Sequence, residues 1–209
     1  MISLGGFRRY MRELDKQFFF RGIKKTLREE FGDAQSKKMW EEACDEYDRI
    51  LVEDPSLKEH KGTMAIPAVA LFRVLSNRGV DAEELLNGYG RQMGVKFASI
   101  VHGITSIPGV SNYLWKNIWK IMDKMSSEEL GYRRRIVSEP PEMYGVDILS
   151  CPYHEVCKEL GSERAALCIC SMDLEYMKGF HHIRYERESS VADGADCCRY
   201  RLRFDENKK

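Results

Sequence analysis

Apolar residues recur at helical spacing through the first two-thirds of the chain and alternate like strands near its end. Leu14, Phe18, Ile23 and Leu27 stand among Arg, Lys and Glu and predict an amphipathic helix over residues 6–31. Gly32 ends it and Asp33 can cap a second helix, whose stripe is Met39, Trp40, Ala43, Tyr47, Ile50 and Leu51 and which Pro55 closes. A third helix, from about Thr63 to Asn77, is nearly all apolar and so is expected to be buried. Asp81 with Glu84 marks the start of a fourth, and Pro108 with Tyr113, Trp115 and Trp119 opens a fifth.

The pattern changes near Gly131. Residues 132–137 and 146–151 are short and β-prone, separated by Pro140, Pro141 and Gly145. Pro152 starts a short helix ending near Gly161, and residues 164–177 read as another helix. Residues 180–188 and 197–204 alternate, joined by a turn containing Asp193-Gly194. The expectation is a single α+β domain over 1–209: a helical part, 1–130, packed on a small antiparallel sheet with one or two helices, 131–209.

Charge narrows the function. Lys+Arg and Asp+Glu each total 33, and no third of the chain is strongly charged: 12 basic and 13 acidic residues in 1–60, 8 and 6 in 61–130, 13 and 14 in 131–209. A nucleic-acid partner normally demands a basic excess, so none is expected. The longest uncharged stretch, Phe97–Trp115, is 19 residues but is interrupted by His102, Gly103, Ser106, Pro108 and Gly109. It reads as a buried turn between helices, not a membrane span. Arg8 and Arg9 are followed by no apolar run, so no secretory signal is read and the cytoplasm is the expected compartment. The expected partner is a small-molecule substrate; homo-oligomerisation stays open.

Of seven cysteines, Cys44 stands apart and six fall in the last 59 residues. Strand parity puts Cys198, Tyr200, Leu202 and Phe204 on the inner face of the last strand, and Cys197, Arg199, Arg201 and Arg203 on a solvent face. Cys198 is then either a small buried hydrophobe or a thiol facing a cavity. Cys170 and Asp173, three apart on a helix, share a face. Such a carboxylate can bind an amidinium or relay a proton, or it can merely pair locally. Cys151, just before Pro152, lies where a helix dipole favours a thiolate, with His154 one turn away. No C-x2-C pair exists, so a zinc knuckle is not expected, although four thiolates from distant segments remain an open arrangement. His181-His182 gives no metal signature, because on a strand the two rings would face opposite sides.

The block Cys151-Pro152, Cys170-x-x-Asp173 and Arg187-x-x-Ser190-Val191-Ala192-x-Gly194-x-x-x-Cys198-x-Tyr200 resembles the L-2-amino-thiazoline-4-carboxylate hydrolase family over about 151–204. Two positions depart from the family pattern: Leu174, where an aromatic often follows the aspartate, and Tyr200, where Phe is more usual. The resemblance implies a hydrolase that opens a cyclic isothiourea to N-carbamoyl-cysteine. That chemistry needs a nucleophile at C2, an acid for the leaving group and a cation for the substrate carboxylate. Cys198, Cys170 or Cys151 would be the nucleophile, Asp173 the amidinium partner and proton shuttle, and Arg187 the carboxylate's cation, with Gly194 and His154 lining the substrate. No cofactor is implied. The same layout also looks like the 4-vinyl-reductase-type domains that bind small molecules without catalysis, and a third reading is a relative of the hydrolases that acts on another C–N or C–S bond. A thiolate mechanism predicts that Cys198 or Cys170 is more acidic than free cysteine.

Overall fold

A computed structural model describes residues 12–58 and 64–208. Among the described residues there are six α-helices and one four-stranded antiparallel sheet, with every strand after residue 130. The helices are α1 (Ile23–Glu53), α2 (Ala65–Asn77), α3 (Ala82–Thr105), α4 (Val110–Met125), α5 (Pro152–Glu159) and α6 (Leu167–Tyr176). The strands are β1 (Arg133–Ile136), β2 (Met143–Ser150), β3 (Ile183–Arg187) and β4 (Cys198–Phe204), in the order β1-β2-β4-β3. The fold is α+β, as the periodicity predicts.

The first two predicted helices differ from expectation. Residues 13–16 and 20–22 form short 3-10 turns, residues 6–11 lie outside the described residues, and the regular helix begins at Ile23. It runs through to Glu53 as one element, kinked at Gly32, where φ is 76° and ψ 169°. Glycine adopts that conformation without the steric penalty other residues incur. The cap at α3 forms as its sequence predicts: the Asp81 side chain accepts the Glu84 N–H at 3.0 Å.

Two apolar clusters divide the interior in a way the order of elements does not suggest. Helices α1 and α2 pack with α5 and α6, burying Ile66, Val69, Leu71, Cys157 and Cys168. Helix α4 instead covers the sheet, with Ile118 against Tyr144, Val146, Ile148 and Leu202. Between α3 and α6 the backbones nearly touch. A Cβ at Gly90 would collide with the Cys168 carbonyl, and one at Gly94 would lie 2.5 Å from the Met172 carbonyl oxygen. Gly179 fits the same way against Ala98. This glycine seam fixes the position of α6.

The outer face of the sheet is less exposed than its sequence predicts. Cys197 was expected to face solvent but is 4% exposed, because it precedes β4 in a turn where its carbonyl accepts the Ser189 hydroxyl. Asp147 on β2 is buried on this face, with Arg135 donating to one carboxylate oxygen at 2.7 Å and Arg201 to the other at 2.9 Å. Burial alone would raise its pKa, but the two arginines outweigh burial and hold it below the ordinary 3.8. Stability from this group is therefore full above the ordinary value and lost as pH falls through the lowered one. Asp147→Asn should cost about 2–3 kcal/mol at pH 7 by urea unfolding, and the gap from wild type should shrink below about pH 4.

Candidate functional site

Helix α6, the start of α5, and strands β3 and β4 surround a cavity of about 390 Å³. Cys151, Cys170, Asp173 and Cys198 all line it, although they come from three separate stretches of sequence. Two rules bring them there. Strand parity turns Cys198 and Tyr200 inward, and the (i, i+3) spacing on α6 turns Cys170 and Asp173 to the same side.

Asp173 is the centre of the polar wall. Its Oδ2 accepts the hydroxyls of Tyr185 and Tyr200, each at 3.4 Å, and faces Arg187 Nη1 at 3.6 Å. The register of β3 and β4 explains this convergence, because Arg187 lies directly opposite Tyr200 and Tyr185 opposite Leu202, all on the inner face. Among the described residues no hydrogen bond reaches the second oxygen, Oδ1, and the side chain, which lines the cavity, is 27% exposed. One oxygen is thus anchored by the protein and the other is left for a ligand. Burial pushes the Asp173 pKa up; Arg187 and the two tyrosine hydroxyls oppose this, and the net direction is up.

Arg187 is 7% exposed and stands behind Asp173, outside the cavity lining. Its Nη2 donates to the Cys170 carbonyl at 3.2 Å, while Nη1 is buried without a hydrogen bond and has only its ion pair with Asp173. In this position it faces the aspartate and not the space a ligand would occupy. Gly194 is exposed and takes φ 85° at the end of the Val191–Asp193 turn. That turn directs the Val191 N–H at Cys198 Sγ, 3.2 Å away, so Gly194 serves the turn that holds Cys198. His154 does line the cavity, but its Nε2 is joined to Glu163 at 3.0 Å.

The expected acidic thiol is absent from Cys198 and Cys170. Burial pushes Cys170 up to about 12 despite Arg187, and pushes Cys198 up against the Val191 N–H. Cys151 also moves up, because burial exceeds the effect of the His154 and Tyr153 backbone N–H groups at the start of α5. Cys44, Cys157 and Cys168 belong to the helical core, not the cavity. Alkylation of Cys170 by iodoacetamide, followed by peptide mass spectrometry, should be slower than that of glutathione at pH 7 and still be accelerating at pH 10.

Three features of this wall and its surroundings were not read from the sequence. Tyr185 was on the right face by parity but carried no motif. The apolar lining from Met122 and Met125 of α4, with Leu130, Met172 and Met177, depends on tertiary packing. His181 and His182 precede β3, with His182 at φ 60°, so the rings do not face apart as expected but lie 3.8 Å apart between centroids. Among the described residues no three His, Cys, Asp or Glu side chains are arranged to hold a metal ion, and no helix is long and apolar enough to cross a membrane.

Among solved structures, the chain is similar to an H-NOX protein from S. oneidensis in the Fe(II) ligation state, at 13% identity and TM-score 0.41, covering 92% of this chain and 98% of that one. It is also similar to an Fe(II) unliganded H-NOX protein from K. algicida (12%, TM-score 0.34, 91% and 97%). A third likeness is a trafficking protein particle complex subunit 3 from Naegleria fowleri covalently bound to palmitic acid (14%, TM-score 0.35, 69% and 98%). Likenesses this distant carry no functional argument. No curated protein matches. The family model of L-2-amino-thiazoline-4-carboxylic acid hydrolase matches residues 11–202, nearly the whole chain and well beyond the cysteine-rich end that carries the motifs. The chain belongs to the L-2-amino-thiazoline-4-carboxylic acid hydrolase family.

Proposed function

We propose that this protein is a hydrolase that opens a cyclic isothiourea or amidine of the 2-amino-thiazoline type. The observation that carries the reading is the Asp173 carboxylate, which lines the cavity with Oδ2 held by Tyr185, Tyr200 and Arg187 and no hydrogen bond to Oδ1 among the described residues. An amidinium N–H donates well to a carboxylate oxygen fixed in a partly apolar site. Binding in the protonated form keeps C2 electrophilic.

Formation of an N-carbamoyl product requires an oxygen on C2 and rupture of the C2–S bond. Water adds at C2, the π electrons move to nitrogen, and collapse expels the ring sulfur, which takes up the proton the water loses. Asp173 is the group placed to carry that proton. Cys198 or Cys170 can attack first only by handing over its proton as it adds, because burial keeps both thiols protonated at rest. The ring sulfur leaves with that proton, and water then displaces the protein sulfur from the S-linked isothiourea to give the N-carbamoyl product and restore the thiol. Arg187 acts as a positioning residue that keeps Asp173 oriented and holds its pKa down.

Ring opening frees a thiol, so turnover is read directly with a thiol reagent. Wild-type protein should release thiol from 2-amino-2-thiazoline compounds. Cys198→Ser should cost about 10²-fold if the thiol route operates, whereas Cys197→Ser and Cys44→Ser should change little. A folded, fully active Cys198→Ser protein assigns the attack to water. No thiol release from any such ring would leave the second reading, a binding module without turnover, which the largely apolar lining of the cavity favours.

A further inference from the structure

With Arg187 turned to Asp173 and the Cys170 carbonyl, the cavity needs another partner for a substrate carboxylate. We infer that His154 is that partner: as an imidazolium it donates from Nδ1 to the carboxylate and so selects acids among 2-amino-thiazolines. The inference rests on the reading that Asp173 holds the amidine of such a ring.

His154 is the third residue of α5, lines the cavity and is 7% exposed. Among the described residues that line the cavity there is no lysine or arginine, and His154 is the only side chain there that can carry a positive charge. Its Nε2 lies 3.0 Å from a Glu163 carboxylate oxygen, whereas its Nδ1 is buried and makes no hydrogen bond. A buried polar nitrogen left without a partner costs free energy that a ligand can return. With Glu163 on Nε2, a proton on Nδ1 makes the ring a cation with one N–H still to be satisfied.

Other donors around this part of the cavity are already engaged. The backbone N–H groups of Tyr153 and His154 are directed at the Cys151 thiol, and that of Glu155 donates to the Cys151 carbonyl at 3.0 Å. The Ser126 hydroxyl donates to the Met122 carbonyl at 2.8 Å. The hydroxyls of Tyr185 and Tyr200 go to Asp173. Tyr132 and Tyr176 also line the cavity, but a neutral phenol offsets the desolvation of a carboxylate less than a cation does.

Two protein carboxylates flank His154. Glu163 meets Nε2, and Glu155 Oε1, which accepts the Ser150 hydroxyl at 3.2 Å, lies 3.9 Å from Nδ1. Each lends the imidazolium a counter-charge. Both are about half exposed, so water screens their repulsion of a bound acid more than it screens a buried contact at Nδ1. The substrate is then held by opposite charges at two points, its amidinium on Asp173 and its carboxylate on His154. Such a hold orients the ring and discriminates against one without the acid.

Isothermal titration with two probes of nearly equal size, 2-amino-2-thiazoline-4-carboxylate and its 4-carboxamide, tests the inference. Wild-type protein should bind the carboxylate about 10-fold or more tighter than the carboxamide, the scale of one charge-assisted hydrogen bond. His154→Gln, which keeps a neutral donor, should abolish that preference while changing carboxamide affinity by less than about 3-fold. Glu163→Gln, at a half-exposed position, should shrink the preference in the same direction. No preference in wild type, or one that His154→Gln retains, overturns the inference. Should circular dichroism show that His154→Gln is misfolded, an unchanged preference in Glu163→Gln overturns it instead. Thiol release judges the hydrolase reading separately. A carboxylate bound through His154 and never opened would keep this inference and defeat the hydrolase. Opening of the carboxylate with a preference indifferent to His154 would do the reverse.

Discussion

Asp173→Asn is expected to lower kcat/KM for ring opening by about 10²-fold or more, the usual cost of losing an acid–base group. The asparagine keeps the size of the side chain and can still accept the hydroxyls of Tyr185 and Tyr200. It loses the negative charge that pairs with an amidinium and the ability to carry a proton. The loss falls on both the water and the thiol route, since each sends its proton to Asp173. The variant's near-UV and far-UV circular dichroism should match wild type, because the position opens onto the cavity. The pH profile adds a readout specific to Arg187. A base of raised pKa gives activity that climbs with pH through that pKa, and Arg187 opposes the rise caused by burial. Arg187→Gln, checked for folding, should move the climbing limb to higher pH. An unchanged limb would remove Arg187 from the electrostatics of the site.

The second large effect is structural and has an internal control on one helix. Gly90→Ala and Gly94→Ala should each destabilise the protein by about 1–3 kcal/mol, because the added methyl meets the Cys168 and Met172 carbonyls of α6. Gly103→Ala, also on α3, meets nothing within 4 Å. It should stabilise by about 0.5–1 kcal/mol through helix propensity alone. The same chemical change thus takes opposite signs along one helix, and urea unfolding of the three variants checks it. Gly94→Ala should in addition slow turnover, since Met172 is adjacent to Asp173 and small displacements of catalytic groups are costly. If all three substitutions stabilise, the close approach of α3 and α6 is wrong.

Much of the polar wall was legible because it depends on local geometry. Strand parity aimed Cys198 and Tyr200 inward, and helical spacing joined Cys170 to Asp173. Both are properties of a few neighbouring residues. The assignment of Arg187 to the substrate needed more than parity. Parity put Arg187 on the inner face, but its reach past the wall to Asp173 and the Cys170 carbonyl is set by how β3 packs on α6. The acidity expected of Cys198 and Cys170 failed for a related reason: a thiol's pKa reflects burial, and burial of a helix face against a sheet is a tertiary quantity. Cys197 was misplaced because the strand begins one residue later than the alternation suggested. Helix α4 reads as one of the helices of the N-terminal part. Which of them covers the sheet is not legible in the sequence, and it is the apolar face of α4 that does so. Nothing in the sequence around Gly90 and Gly94 marks the α6 backbone that lies against them.

That glycine seam has a consequence for how the cavity can adapt. Helix α6 abuts α3 along backbone atoms, which have no rotamers to exchange, so the wall bearing Cys170 and Asp173 cannot retreat when a guest arrives. Met122 and Met125, which line the cavity from α4, have unbranched side chains that reshape at little cost. Adjustment is therefore confined to one half of the chamber. A guest must match the stiff half atom for atom, whereas the pliant half accommodates a series of tails, so substitutions that broaden or narrow the range of compounds accepted belong on α4 rather than α6.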